Sequence, residues 1–326
     1  GIRRFLYWGA GFVFLLAVIS VVAKYSDNGA GKTTFIQGKQ AQTSTLNIFG
    51  NDSEGISLKA VGDILPARYV EKLMRQKNDY TFPFQKVASV LSVVDVTFGN
   101  LETPLLDGKN VPTGTMVFRG DPESLAGLTF AGFDVVSLAN NHTMNYQVPG
   151  LTSTLKALKK AGILASGGGK NQDAAHTPVI VEVKGKKIAF YSYVDSSIPP
   201  GFHGEESGVR PGIAGMSVEA VKNDVKNALE VAKADFVVVS MHAGREYVFE
   251  PTKLQKEFAR AAIDAGASVV IGSHPHVIQP VEEYGNGVIF YSLGNFVFDQ
   301  AFSEDVKIGL IAAGLPACAR ATAPSW

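Results

Sequence analysis

Between Ile56 and Ser292, short apolar runs of strand length alternate with amphipathic stretches of helix length. This alternation constrains the fold more than any other feature. Strand candidates are Ser57–Val61, Val94–Phe98, Asp134–Leu138, Ile163–Ala165, Phe236–Met241, Ser268–Ile271 and Val288–Ser292. Helical patterns over Pro66–Gln76, Phe84–Leu91, Pro122–Ala131, Leu151–Ala161, Val218–Ala232 and Lys253–Ala265 lie between several of them. A helix between two strands is a crossover, and crossovers join parallel strands. Pro178–Val183 and Lys187–Tyr193, parted by Lys184-Gly185-Lys186, read instead as a hairpin. The predicted class is α/β with mixed sheets, ending in one more strand at Lys307–Ala312.

Five of these strands end on residues able to bind a metal ion or to work beside one. Asp63 follows Leu58–Val61, Glu102 follows Val94–Phe98, and Asn141-His142 follow Val135–Leu138. His242 follows Phe236–Ser240, and His274 and His276 follow Val269–Ile271 in the segment Ser-His-Pro-His. Ligands of open α/β sheets collect at the carboxyl ends of strands, and imidazole is the commonest metal ligand. Each residue alone has an ordinary reading. Asp63 fits a turn or a helix N-cap before Pro66, and Glu102 a cap on the loop at Pro104. Asn140 and Asn141 suit left-handed turn positions, and His242 a hydrogen-bonded core histidine. Convergence at one sheet edge favours a site. His176 and His203 fall in loops without partners and read as surface residues.

The single cysteine, Cys318, excludes a Cys-rich zinc centre, so His, Asp, Glu and Asn must hold any metal. That donor set suits zinc, manganese or iron, as one or two ions, better than calcium. It is also the composition of a two-metal hydrolytic site. A formal net charge of +0 and the lack of a basic stripe argue against nucleic acid as a partner.

At the N-terminus, Arg3-Arg4 precede an uncharged run, Phe5–Ala23, of about 19 residues, long enough to cross a bilayer. Residues 1–24 therefore read as a single-pass cell-membrane anchor with the body outside the cytoplasm. A signal peptide cut near Val21-Val22-Ala23 is the alternative. Residues 25–55, rich in Gly, Ser, Thr, Asn and Gln, read as a flexible linker. Their Gly29–Thr34 segment has Ser26 where a phosphate-binding loop needs its first glycine, and is a chance match. Residues 56–312 form the folded body, and 313–326 an irregular tail.

Seven segments, in order, resemble the CapA family of bacterial capsule and poly-γ-glutamate synthesis proteins, related to calcineurin-like metallophosphoesterases. They are VGDILPAR (61–68), VDVTFGNLETPL (94–105), FDVVSLANNHTMNY (133–146), GILASGGG (162–169), VVVSMHAGREY (237–247), VVIGSHPHVIQPVEEY (269–284) and IFYSLGNFVFD (289–299). The resemblance implies a metallophosphoesterase-like four-layer α/β/β/α sandwich. It implies Asp63 and His276 as ligands of a first metal, Glu102 as the bridging carboxylate, and Asn141, His242 and His274 around a second metal. His142 resembles the histidine that phosphoesterases use as acid to the leaving group or as a clamp on the oxyanion. Arg68, Arg119 and Arg245 lie near the motifs and could form an anion-binding patch. Two departures stand out: Leu65 replaces the histidine of Asp-x-His, and Asn145 replaces the aspartate usual after His142. The function implied is capsule or poly-γ-glutamate synthesis or export beside membrane synthase subunits, with hydrolysis of a phosphoester or polymer bond. The alternative is a non-catalytic scaffold that guides the polymer.

Overall fold

The computed structural model describes residues 56–198 and 210–314, together with the backbone of Phe14–Ala17. In chain order the elements that position the site are β1 (Leu58–Ile64), α1 (Arg68–Lys77), β2 (Val96–Leu101), α2 (Leu125–Ala131), β3 (Val135–Ser137), α3 (Gln147–Ala161) and β4 (Leu164–Ser166). The hairpin β5 (Val179–Val183) and β6 (Lys186–Val194) follows, then α4 (Val218–Glu230), β7 (Phe236–His242), α5 (Lys253–Asp264) and β8 (Val269–Ser273). The last are β9 (Val281–Tyr284), β10 (Gly287–Phe290), β11 (Asn295–Val297) and β12 (Ile311–Gly314).

Two mixed sheets result. The first has the order β12-β1-β2-β3-β4; β1 to β4 run parallel, and β12 is antiparallel to β1. The second has the order β9-β10-β8-β7-β6-β5, parallel from β10 to β6 and closed at each edge by an antiparallel strand. Successive strand residues point to opposite faces, so a sheet covered on both sides needs an unbroken apolar run. In β7 that run divides cleanly: Val238 faces the other sheet, while Val237 and Val239 face helices. The core between the sheets is centred on Phe98 and Phe190, stacked with ring centroids 5.8 Å apart. Val70 and Met74 of α1, Leu128 of α2 and Leu151 and Leu158 of α3 cover the first sheet's outer face. Val221 and Val225 of α4 and Phe258 and Ala262 of α5 cover the second's. Helix, sheet, sheet and helix are thus stacked in four layers.

Several boundaries differ from those read in the sequence. β1 continues through Asp63 and Ile64 instead of ending at Val61, because β11 returns beside it with Asn295 opposite Asp63 and Val297 opposite Ile64. The expected helix Phe84–Leu91 divides into a 3-10 turn, Phe82–Phe84, and a short helix, Ala88–Leu91. The expected strand Lys307–Ala312 begins at Ile311 and runs to Gly314, past the boundary set at 312, because it pairs with Leu58–Ala60.

Within the expected anchor, Phe14–Ala17 is extended and pairs antiparallel with β12, where it satisfies backbone groups that an edge strand leaves open. The rest of the Phe5–Ala23 run, the linker with Gly29–Thr34, the tail after Gly314 and His203 lie outside the described residues. Among the described residues no helix is long and apolar enough to cross a membrane.

Candidate metal centre

The polar residues at the strand ends meet at the seam between the two sheets, not along one sheet edge as the sequence suggests. Asp63 comes from β1, Glu102 directly follows β2, and Asn141 and His142 lie in the loop after β3. The second sheet supplies His242, the last residue of β7, and His274 and His276, just after β8. None of the seven is more than 4% exposed. Two glycines let the segment that crosses from β10 to β11, and so from one sheet to the other, lie against the strands beside it. A Cβ on Gly62 would lie 1.8 Å from the Gly294 carbonyl oxygen, and one on Gly272 would lie 1.9 Å from that of Tyr291. His274 and His276 flank Pro275 with φ of +97° and +56°. Such backbone costs about 1–3 kcal/mol per residue and persists only where surrounding contacts impose it. One of those contacts is the His274 N–H, which donates to Asp63 Oδ2 at 3.2 Å.

Side-chain bonds then fix the ring orientations. His242 Nε2 lies 2.9 Å from Asn141 Oδ1 across the seam, and its Nδ1 lies 2.9 Å from Ser273 Oγ. His276 Nδ1 lies 2.9 Å from Asn295 Oδ1 and 3.2 Å from Asp63 Oδ2; its Nε2 is 3.8 Å from Glu102 Oε1. His142 Nδ1 donates to Asn145 Oδ1 at 3.0 Å, its Nε2 is 4.0 Å from Glu102 Oε1, and Phe118 stacks on its ring with centroids 3.7 Å apart. One ligand atom each from Asp63, Glu102 and His242 lies within 4.8 Å of the other two.

Two carboxylates share this buried space, and they respond differently. Burial opposes the charge of Asp63, but the hydrogen bond and charge of His276 and the Asn100 bond together hold it well below the usual carboxylate range. Glu102 is pushed well above that range, first by burial and then by the charge of Asp63. Burial lowers His142 to about 3 and, with the nearby His276, lowers His274 to about 4. It also pushes His242 well below the ordinary imidazole value, His274 adding to the effect. These imidazoles are therefore neutral near pH 7, the form that binds metals. Glu102 Oε1 and His274 Nδ1 are buried without a hydrogen-bond partner. Six other buried side-chain atoms among the described residues also lack one, but these two belong to the carboxylate–imidazole cluster, where a cation would satisfy them. Neutral imidazoles, two carboxylates and spare lone pairs fit a divalent transition metal.

The three arginines separate. Arg68 lies beside the cluster, ion-paired with Asp299, its guanidinium 4.5 Å from the Phe118 ring centre. Arg119 is buried and committed to the fold, with Nη2 on Glu71 and Nη1 on the Leu106 carbonyl, both at 2.8 Å. Arg245 is exposed on the loop after β7. Leu65, at the third position of Asp-x-His, packs instead with Ala67, Phe118 and Phe298. Asn145 still orients His142 through its amide oxygen, which the Phe118 N–H also bonds at 2.6 Å. His176 is not without partners: its Nδ1 lies 2.9 Å from Asp224, 48 residues away. The sequence reading missed Asn100, at the centre of the cluster, and Asn295, which holds His276. Asn100 lies two residues before Glu102 and hence on the same strand face.

A fold of this kind with a buried carboxylate–imidazole cluster defines a class, and comparison with known proteins narrows it. Residues 57–300 match the family described as bacterial capsule synthesis protein PGA_cap, and the chain belongs to that family. It is 33% identical over 304 residues to the capsule biosynthesis protein CapA of Bacillus anthracis, covering 91% of this chain and 70% of that one. It is 35% identical over 304 residues to the PGA biosynthesis protein CapA of Bacillus subtilis, covering 92% and 75%. A protein of Mycobacterium tuberculosis named as a probable polyglutamine synthesis accessory protein is 31% identical over 232 residues, covering 68% and 60%. Among solved structures, Haemophilus influenzae NAD nucleotidase overlaps 74% of this chain and 51% of its own at a TM-score of 0.48 and 12% identity, too low to weigh further.

Proposed function

We propose that this chain is a membrane-tethered protein, facing out of the cytoplasm, that takes part in capsule or poly-γ-glutamate synthesis or export beside the synthase machinery. Its metallophosphoesterase-type site holds one or two zinc, manganese or iron ions and hydrolyses a phosphoester or a bond of the capsule polymer. Asp63, Glu102, Asn141, His242, His274 and His276 are the residues that would hold the metal. The observation that carries the reading is the pair of buried, unpartnered ligand atoms, Glu102 Oε1 and His274 Nδ1, in one carboxylate–imidazole cluster. A bound metal would supply Lewis-acid polarisation of the scissile group.

The rest is work for side chains. His142, neutral with its Nδ1–H on Asn145, offers Nε2 as a proton acceptor. It delivers a proton to a leaving group only after an anionic substrate beside it has raised its basicity. Arg68 places positive charge beside His142 and Glu102 and is the best located of the three arginines to meet an anion. Arg119 could contribute only through the packing of its neighbours, and Arg245 only from the exposed loop. A scaffold without turnover is the second reading, favoured by the replacement of an imidazole with buried Leu65.

Elemental analysis of the purified protein, beside its His274→Ala variant, tests the proposal. Wild type should retain at least one ion per chain, and the variant should lose both metal and turnover. Full activity after chelation would refute the hydrolase. Normal capsule in a deletion strain complemented by His142→Ala would favour the scaffold.

A further inference from the structure

Asn100 is the residue of the cluster with no role in the reading above, and its placement is specific. It is 2% exposed, and its Nδ2 lies 2.8 Å from Asp63 Oδ1, 3.3 Å from His242 Nδ1 and 3.5 Å from Glu102 Oε2. Those three neighbours are the residues whose ligand atoms crowd within 4.8 Å of one another. The amide group thus sits among the atoms that would surround a cation.

Neighbouring bonds settle which end of the amide points inward. The backbone N–H groups of His142 and Thr143 can only donate, and both donate to Asn140 Oδ1, at 3.2 and 3.0 Å. Asn140 must therefore turn its Nδ2 the other way, where it donates to the Leu101 carbonyl at 2.8 Å and to Asn100 Oδ1 at 3.1 Å. Asn100 Oδ1 faces Asn140 in consequence, and the N–H groups of Nδ2 face the carboxylates. An amide nitrogen offers two donors and no lone pair for a metal.

The geometry points to Asn100 as a built-in substitute for a cation, which lets two buried carboxylates fold together without metal and holds metal affinity down. This rests on the metal-site reading above. A divalent ion among Asp63, Glu102 and His242 has to displace the Asn100 donor and break its bond to Asp63. A carboxylate at position 100 would reverse both effects. It would keep the acceptor that Asn140 needs, but would set a second carboxylate 2.8 Å from Asp63 Oδ1 beside the buried Glu102, a crowding of acids that a cation between them would relieve.

The test is a Mn²⁺ titration of the full chain, by calorimetry, with thermal unfolding followed by circular dichroism in chelator and in Mn²⁺. Asn100→Asp should bind Mn²⁺ at least about tenfold more tightly than wild type, within the range known for residues beside metal ligands. Its melting temperature in chelator should fall by about 5 °C or more below that of wild type in chelator, and Mn²⁺ should raise it by more than it raises wild type. Asn100→Ala, which removes the donor without adding charge, should shift both readings in the same direction by less. Equal affinities for wild type and both variants would overturn the inference and leave the metal site standing. No Mn²⁺ binding by any of the three would instead overturn the metal site itself. Should Asn100→Asp fold only with Mn²⁺, the inference is supported. Should it fold under neither condition, Asn100→Ala decides, and wild-type affinity in that variant would refute the proposal.

Discussion

Acid should destabilise this protein in chelator by an amount that the buried cluster sets. Burial lowers His142 to about 3 and His274 to about 4, and holds His242 well below the ordinary value of 6.5. A lowered imidazole contributes stability that is complete above 6.5 and is lost as pH falls toward its folded value, because the unfolded chain then binds the proton alone. Glu102 acts in the opposite sense. Raised well above 4.5, it carries a proton in the folded state that the unfolded chain gives up, and so favours acid over the same window. Between about pH 5 and pH 6, unfolding therefore takes up close to three protons at the imidazoles and releases one at Glu102. Two protons net correspond to a slope of about 2.7 kcal/mol per pH unit, stability rising with pH. That is a large fraction of a typical folding free energy of about 5–15 kcal/mol.

Urea unfolding followed by circular dichroism, in chelator and at closely spaced pH values, measures the slope directly. Wild type should lose about 2–3 kcal/mol between about pH 6 and pH 5, with little change above about pH 7. Glu102→Gln has no proton to release, so its slope should steepen toward three protons, about 4 kcal/mol per unit. His274→Asn should lower the wild-type slope by about one proton, roughly 1.4 kcal/mol per unit. A flat profile for wild type, or a shallower one for Glu102→Gln, would refute the assignment of neutral imidazoles around a protonated Glu102.

Other perturbations separate structure from site. Gly272→Ala drives a methyl into the Tyr291 carbonyl and should cost about 3 kcal/mol or more, read as a drop in the urea midpoint; a loss within about 0.5 kcal/mol would mean the seam opens freely. Arg119→Ala leaves Glu71 buried beside a partner that is partly exposed, so stability should fall by about 3–5 kcal/mol. Arg245→Ala should leave the urea midpoint within about 0.5 kcal/mol of wild type. Equal effects at the two arginines would contradict the division between a buried fold residue and an exposed one.

What the sequence made legible follows from range. Alternation and helical periodicity are local, so β7, α5 and β8 could be placed to within a residue or two, and the polar residues at their ends with them. Sheet pairing is not local. β11 and β12 come back from more than 230 positions along the chain to pair with β1, and only that pairing makes Asp63 a strand residue at a seam. The same holds for side chains whose role depends on a distant partner. Arg119 looks like an anion binder until Glu71 is seen against it, and His176 like a surface residue until Asp224 is.

Residue type alone could not rank the members of the cluster either, because asparagine, glutamate and histidine serve structure and chemistry with the same atoms. Their unused bonding capacity separates them. Both ends of the Asn140 side chain are taken, and Asn100 spends its oxygen on Asn140 and its nitrogen on Asp63. Glu102 Oε1 and His274 Nδ1, equally buried, spend nothing. An unspent lone pair in the core costs about 1–3 kcal/mol, and the fold also leaves Glu71 Oε2 and the Ser124, Ser137 and Ser192 hydroxyls without a partner; Glu102 and His274 differ in belonging to one carboxylate–imidazole cluster. On the proposed reading, Glu102 and His274 are the side chains with capacity left for a metal, and the surrounding asparagines are the frame that aims them.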